Sequence, residues 1–249
     1  MANASRTARL RWYLAAAILS VGALVAGCDP QATSVAGIGA GANPQFTAFE
    51  RDGPDTTNDR PRLQVIKNPT VDQIMEAGPL GDRSMGRATA PVTVIEYASL
   101  TCPHCRAFHE RTWPSFKRKY IDTGKVRYIL REFPIGRSSG NAWLVTRCAP
   151  QGKFFRLYDA YLNRQGLWVS QEVRTEKIWQ VAKGAGVSRA TFDKCLQDQA
   201  TIDHIKAVKD RGRQLGVIGT PTFFIGGKQY RSILTIEEIG AAIEAAKVG

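Results

Sequence analysis

The chain has few of the groups that build metal or haem centres. Its 249 residues include five cysteines and three histidines. No second cysteine pair stands at finger spacing from Cys102 and Cys105. A zinc site would therefore have to rely on Cys102, Cys105 and His109. Covalent haem attachment needs a His directly after the second Cys, and that place is taken by Arg106. There is no internal repeat. The net charge of +12 is not gathered into a patch, and Lys117-Arg118-Lys119 is the only basic run. The charge thus reads as a solvated surface rather than a nucleic-acid face. Acidic residues are missing altogether from residues 1–27, and long apolar runs are missing everywhere else.

That first segment has Arg6, Arg9 and Arg11, followed by an uncharged stretch from Trp12 to Gly27 rich in Ala, Leu, Ile and Val. This is the pattern of a secretory signal, somewhat short for a membrane span of about 20 residues. It ends Val25-Ala-Gly-Cys28, which resembles a bacterial lipobox and predicts lipidation of Cys28; Asp29 resembles an inner-membrane retention signal. The alternative, an uncleaved anchor helix, also places the remainder outside the cytosol. The expected location is the periplasmic side of the inner membrane. With Cys28 set aside, Cys102, Cys105, Cys148 and Cys195 remain. An even count in an oxidising compartment suggests two pairs, and the two-residue spacing favours Cys102 with Cys105.

With 43% apolar and 22% charged residues, the rest has an ordinary globular balance. Residues 28–60 are rich in Gly, Ala, Pro, Asn, Asp and Thr and read as a flexible tether. In the N-terminal extension, residues 61–90, Thr70-Val-Asp-Gln73 predicts a capping box opening a short helix with Val71, Ile74 and Met75 on one side. The domain proper is expected to begin at Pro91. Val92–Tyr97 and Val126–Phe133 read as strands. The helix between them should be kinked by Pro114 and ended by Gly124. From about 140 to 215 only helical patterns occur, with apolar stripes at Phe154, Leu157, Tyr158, Tyr161 and Leu162, at Ile178, Trp179 and Ala182, and at Phe192, Cys195 and Leu196. Thr222–Ile225 returns to strand pattern, Gly226-Gly227 predicts a hairpin, and Thr235-Ile-Glu-Glu238 a capping box before a last helix. This order predicts an α/β fold, a small mixed sheet interrupted by an inserted all-helical domain. The expected divisions are 91–139 and 216–249 for the two halves and 140–215 for the insertion.

Cys102-Pro103-His104-Cys105 stands where a strand gives way to a helix. A cysteine capping that helix faces unpaired backbone N–H groups and the positive end of the helix dipole, and both favour a thiolate. His104 adds a donor, and a charge when protonated. Cys105, one turn in, is expected to be shielded and to act as the resolving thiol. A disulfide has no thiolate to stabilise, so a lowered Cys102 pKa makes the oxidised form a stronger oxidant. A pKa of about 5 would favour the reduced state at pH 7 by roughly 2.7 kcal/mol, or about 60 mV for two electrons. A purely structural disulfide is the competing account, for which Pro-His at a helix start is a poor choice.

The run Val94-Ile-Glu-Tyr-Ala-Ser-Leu-Thr-Cys-Pro-His-Cys105 resembles the active-site strand and helix of DsbA-like members of the thioredoxin superfamily. Arg131-Glu-Phe-Pro134 and Gly219-Thr-Pro-Thr-Phe223 are similar to two further signatures of that family, and the likeness spans residues 82–246. It implies a thioredoxin fold with a helical insertion, a cis Pro221 beside the disulfide, a substrate-pairing role for Thr220, and a proton-handling role for a buried Glu96. Thr before the cis Pro departs from the Val of the best-known oxidases and is common among disulfide isomerases and in other DsbA-like branches. Cys148 and Cys195 fall on apolar faces of different helices and resemble an extra pair in alphaproteobacterial DsbA-like proteins. The resemblance further implies exported proteins as substrates, reoxidation by a DsbB-like quinone-coupled membrane protein, and no metal or organic cofactor. The rival readings are a reductase or isomerase of the same fold and a metal-binding lipoprotein.

Overall fold

A computed structural model describes residues 63–247. The signal segment, the lipobox with Cys28 and the tether lie outside the described residues. Among those described, no helix is long and apolar enough to cross a membrane.

The central sheet takes its shape from two apolar strands that run side by side. β2 (Val92–Ala98) and β3 (Val126–Glu132) pair in parallel, with Glu96 opposite Leu130. β4 (Thr222–Ile225) lies antiparallel on the other side of β2, with Glu96 opposite Phe223, and β5 (Lys228–Tyr230) follows through the Gly226-Gly227 turn. Those two glycines have φ of 56° and 79°, a conformation that side chains disfavour, so the hairpin depends on them. β1 (Arg83–Met85) closes the other edge, antiparallel to β3, giving the order β1-β3-β2-β4-β5. The sheet therefore includes a strand N-terminal to Pro91, where the sequence placed the start of the domain. Three residues paired to a neighbour's backbone carry too little pattern of their own to be read as a strand.

Alternation along β2 splits the sheet into two faces. Val94 and Ala98 join Tyr128 and Leu130 in one core, which also holds Cys102 and Cys105. Ile95 and Tyr97 join Ile129, Phe133, Val208 and Leu215 in the other. The first core is covered by α2 (Pro103–Arg111), α3 (Trp113–Phe116), α10 (Ile236–Lys247) and the helical block. That block runs through α4 (Gly136–Cys148), α5 (Phe154–Asn163), α6 (Gln165–Trp168), α7 (Thr175–Gly184) and α8 (Arg189–Cys195). α9 (Gln199–Gln214) then crosses to the second face.

Local signals set several boundaries. α2 stops at Arg111 and α3 restarts at Trp113, because Pro114 has no N–H to continue the ladder. A π-helical turn, Lys117–Ile121, follows. α1 (Val71–Met75) has the expected capping box between Thr70 and Gln73, and Thr235 and Glu238 form the second one at α10. In α1 only Ile74 is buried; Met75 is half-buried and Val71 is exposed, because five residues make barely more than one turn.

Candidate active site

Cys102 is the N-cap of α2, with φ −77° and ψ 122°, and Pro103 fills the first helical position, where its missing N–H costs nothing. The Cys102 side chain is 9% exposed and Cys105 is fully buried. Both are free thiols in this structure. As a thiol, Cys102 donates to the backbone oxygen of Thr220 at 3.1 Å. As a thiolate it is held down to about 5, chiefly by the hydrogen bond from the Cys105 thiol. Burial opposes this; the Thr220 side chain and the backbone N–H groups of Cys105 and His104 reinforce it. The Thr220 hydroxyl is buried with no protein acceptor of its own, so it is free to donate to the sulfur. Burial pushes the Cys105 thiol well above its ordinary value, and the neighbouring Cys102 and Glu96 add to the rise. The two thiols thus differ in charge at neutral pH: one anionic sulfur beside the cleft, nearly buried, and one protonated sulfur fully buried. His104 acts on the sulfur through its backbone, while its imidazole is exposed.

Glu96 is the buried acid on the same face of β2. Burial pushes its carboxyl up to about 7, against the hydrogen bonds from Tyr128 and Tyr158. The Tyr128 hydroxyl donates to Oε2 at 2.6 Å and the Tyr158 hydroxyl to Oε1 at 3.5 Å. A group titrating near neutrality and electrostatically coupled to both cysteines can hold or release a proton during exchange.

The Thr220–Pro221 peptide is cis, and Thr220 lies against Cys102. A cleft of about 860 Å³ opens beside the sulfur, walled by Thr101, Pro103, Ile135, Arg137 and Val169. Ile135 is 43% exposed on its rim, and Ile218, two residues before Thr220, is 82% exposed.

His109 lies apart from the thiols in its bonding. Its Nε2 is 3.2 Å from Asp159 Oδ1, and its ring stacks on Trp113. Among the described residues no group of three or more His, Cys, Asp or Glu side chains is placed to hold a metal ion, so Cys102, Cys105 and His109 do not form the zinc site that their types allow. Cys148 and Cys195 form a disulfide between α4 and α8, with Cα atoms 5.4 Å apart.

Three partners of the site carried no local signal. Tyr128 and Tyr158 read from sequence as core aromatics of a strand and a helix; only the fold brings their hydroxyls to a carboxylate 32 and 62 residues away. Gln165 is a polar residue inside an apolar helical block, and its burial is the clue that the pattern could not supply.

The chain matches the thioredoxin family profile over residues 80–245. A relative from Rickettsia conorii that carries the name protein-disulfide oxidoreductase is 31% identical over 190 residues, covering 75% of this chain and 68% of the relative. One from Rickettsia bellii is 33% identical over 167 residues, 66% of this chain and 64% of its own length. The chain therefore spans about two thirds of the length of these relatives. Alpha-DsbA1 of Wolbachia pipientis superposes with a TM-score of 0.65 at 27% identity, covering 71% of this chain and 96% of that one. BdbD of Bacillus subtilis shares the fold, with a TM-score of 0.62 at 21% identity over 75% of this chain and 99% of that one. In sequence and in fold, the chain belongs to the thioredoxin family, among the DsbA-like thiol–disulfide oxidoreductases.

Proposed function

We propose that this chain is the donor of disulfides to exported proteins, acting from the periplasmic side of the inner membrane. The observation that supports the direction is the asymmetry of the thiols: Cys102 held down to about 5 and Cys105 pushed well up. Stabilising the Cys102 thiolate favours the reduced protein, so the disulfide is given away readily.

The exchange runs in two steps. A substrate thiolate attacks Sγ of Cys102, the Cys102–Cys105 bond breaks, and Cys105 leaves with the bonding electrons. It takes up a proton, supplied by Glu96, whose raised carboxyl pKa supports that role. A second substrate thiolate then attacks the substrate sulfur of the mixed disulfide. Cys102 departs as a stable thiolate, leaving a disulfide in the substrate and two reduced thiols here. Thr220 offers backbone for an extended substrate segment, in the manner of an added strand. No metal or organic group takes part. A DsbB-like quinone-coupled membrane protein restores the disulfide, and a lipid on Cys28 keeps the enzyme at the membrane.

The deciding measurement is the reduction potential of the Cys102–Cys105 pair against glutathione. With the Cys102 thiol held down to about 5, the pair at pH 7 is more oxidising than a free dithiol by at most about 60 mV, less whatever solvent screens. A potential below that of the glutathione pool would overturn the donor reading. It would favour the reductase or isomerase direction, to which Thr220 before the cis Pro lends support. Replacing Cys28 by Ser tests the anchor: release from membranes with exchange activity intact supports the lipid, and continued membrane association favours an uncleaved helix.

A further inference from the structure

The turn that delivers Cys102 to the start of α2 is held from outside its own strand and helix. The Leu100 N–H donates to Ser139 Oγ of α4 at 3.2 Å. The Leu100 carbonyl accepts from Gln165 Nε2 at 2.7 Å, and the same nitrogen donates to the Cys102 carbonyl at 3.0 Å. Gln165 is the first residue of α6 and is 6% exposed. One amide group therefore ties together two carbonyls that stand two residues apart, spending one hydrogen on each.

That clasp bears directly on the sulfur. The Cys102 carbonyl also accepts the Arg106 N–H at 3.2 Å, the first hydrogen bond of the redox helix. Fixing this carbonyl fixes the extended backbone of Cys102, and with it the direction in which Sγ meets the N–H groups of His104 and Cys105. If the peptide rotates, the sulfur loses alignment with those donors. The Leu100 carbonyl would then be left in the interior without its partner.

We propose that Gln165 is a positioning residue for the redox thiol, through which the helical block sets the poise of thiol–disulfide exchange. The proposal rests on exchange at Cys102 but not on its direction. It gives the insertion a role beyond covering the sheet, because α6 supplies the donor to both carbonyls of this turn.

The test is the equilibrium with glutathione together with the ultraviolet titration of the Cys102 thiolate. Gln165→Met keeps length and bulk and removes both donors. Loss of about one charge-assisted hydrogen bond to the sulfur predicts a roughly tenfold smaller constant for reduction by glutathione, about 30 mV towards a more reducing pair. The thiolate titration should rise by about one unit. Ser139→Ala, which frees the other side of Leu100, should move both in the same direction. Trp168→Phe removes a buried 2.9 Å bond to the Tyr161 carbonyl within the same helical block, without touching the turn. It should lower the melting midpoint and leave constant and titration unchanged.

If Gln165→Met does not fold, Gln165→Asn takes its place: one methylene shorter, it can reach one carbonyl at most and should give a smaller shift of the same sign. Values within twofold of the parent in a folded Gln165 variant would overturn the proposal, as would an equal shift in Trp168→Phe, which would mean general loosening. The parent's own equilibrium reports the direction of exchange, and the ratio of variant to parent reports Gln165, so the two readings fail separately.

Discussion

At the scale of single residues, proton affinity is the property that distinguishes this site. The Cys102 thiolate is expected to titrate near 5, seen as thiolate absorbance lost on acidification. A value near that of a free thiol would remove the basis of the donor reading. Glu96 offers a second, independent titration. Its pKa is raised, so the folded state keeps a proton that the unfolded chain has released. The stability this confers is complete below about 4.5 and is lost as pH rises through about 7. The oxidised protein isolates the effect, because Cys102 does not titrate there. Its unfolding free energy should fall across that window, by less than the roughly 3 kcal/mol that the reduced protein's value gives because no Cys102 thiolate then adds to the rise, and Glu96→Gln should flatten the slope. Tyr128 can donate to a Gln oxygen as it does to the carboxylate, so the variant is expected to fold. An unchanged slope would show that Glu96 ionises as readily in the fold as outside it.

At the scale of elements, the Cys148–Cys195 bridge is the connection within the helical block that is easiest to test. It joins the last residue of α4 to the last residue of α8 across 47 positions. Replacing both cysteines by Ser frees that loop in the unfolded chain and should lower stability by as much as about 4 kcal/mol, read from denaturant melts. No change would mean that packing of Trp143, Phe154 and Phe192 alone holds the block. The elements also show what could be read in advance. Strands β2, β3 and β4 were legible because each is a short run of β-branched and aromatic residues bounded by turns. The capping boxes at Thr70 and Thr235 and the Gly226-Gly227 hairpin were legible because their chemistry is local. β1 was not, since its pairing partner lies some 45 residues downstream. The capping of a helix by Cys102, with Cys105 buried one turn in, was legible from four adjacent residues, whereas Tyr128, Tyr158, Ser139 and Gln165 reach the site only through long-range packing that no window of sequence contains.

At the scale of the whole molecule, linkage turns the thiolate into a stability difference between redox states. A lowered pKa gives the reduced fold a contribution that is complete above about 9 and disappears as pH falls through about 5. Reducing Cys102–Cys105 alone should therefore raise the unfolding midpoint at pH 7 and by more at pH 8, with the gain vanishing near pH 5. Mild glutathione should open this pair and spare Cys148–Cys195. A midpoint that falls on selective reduction would reverse the assigned flow of electrons. A different consequence follows from Arg131, buried on the face of the sheet away from the thiols. Its guanidinium bonds the Asp82 carboxylate, the carbonyls of Ile74 and Met75 and the Tyr97 hydroxyl, and Ile66 N–H is bound to Gln214. A pull applied at Leu63 would therefore load these bonds and the β1–β3 ladder, at the edge of the sheet and on its face away from Cys102.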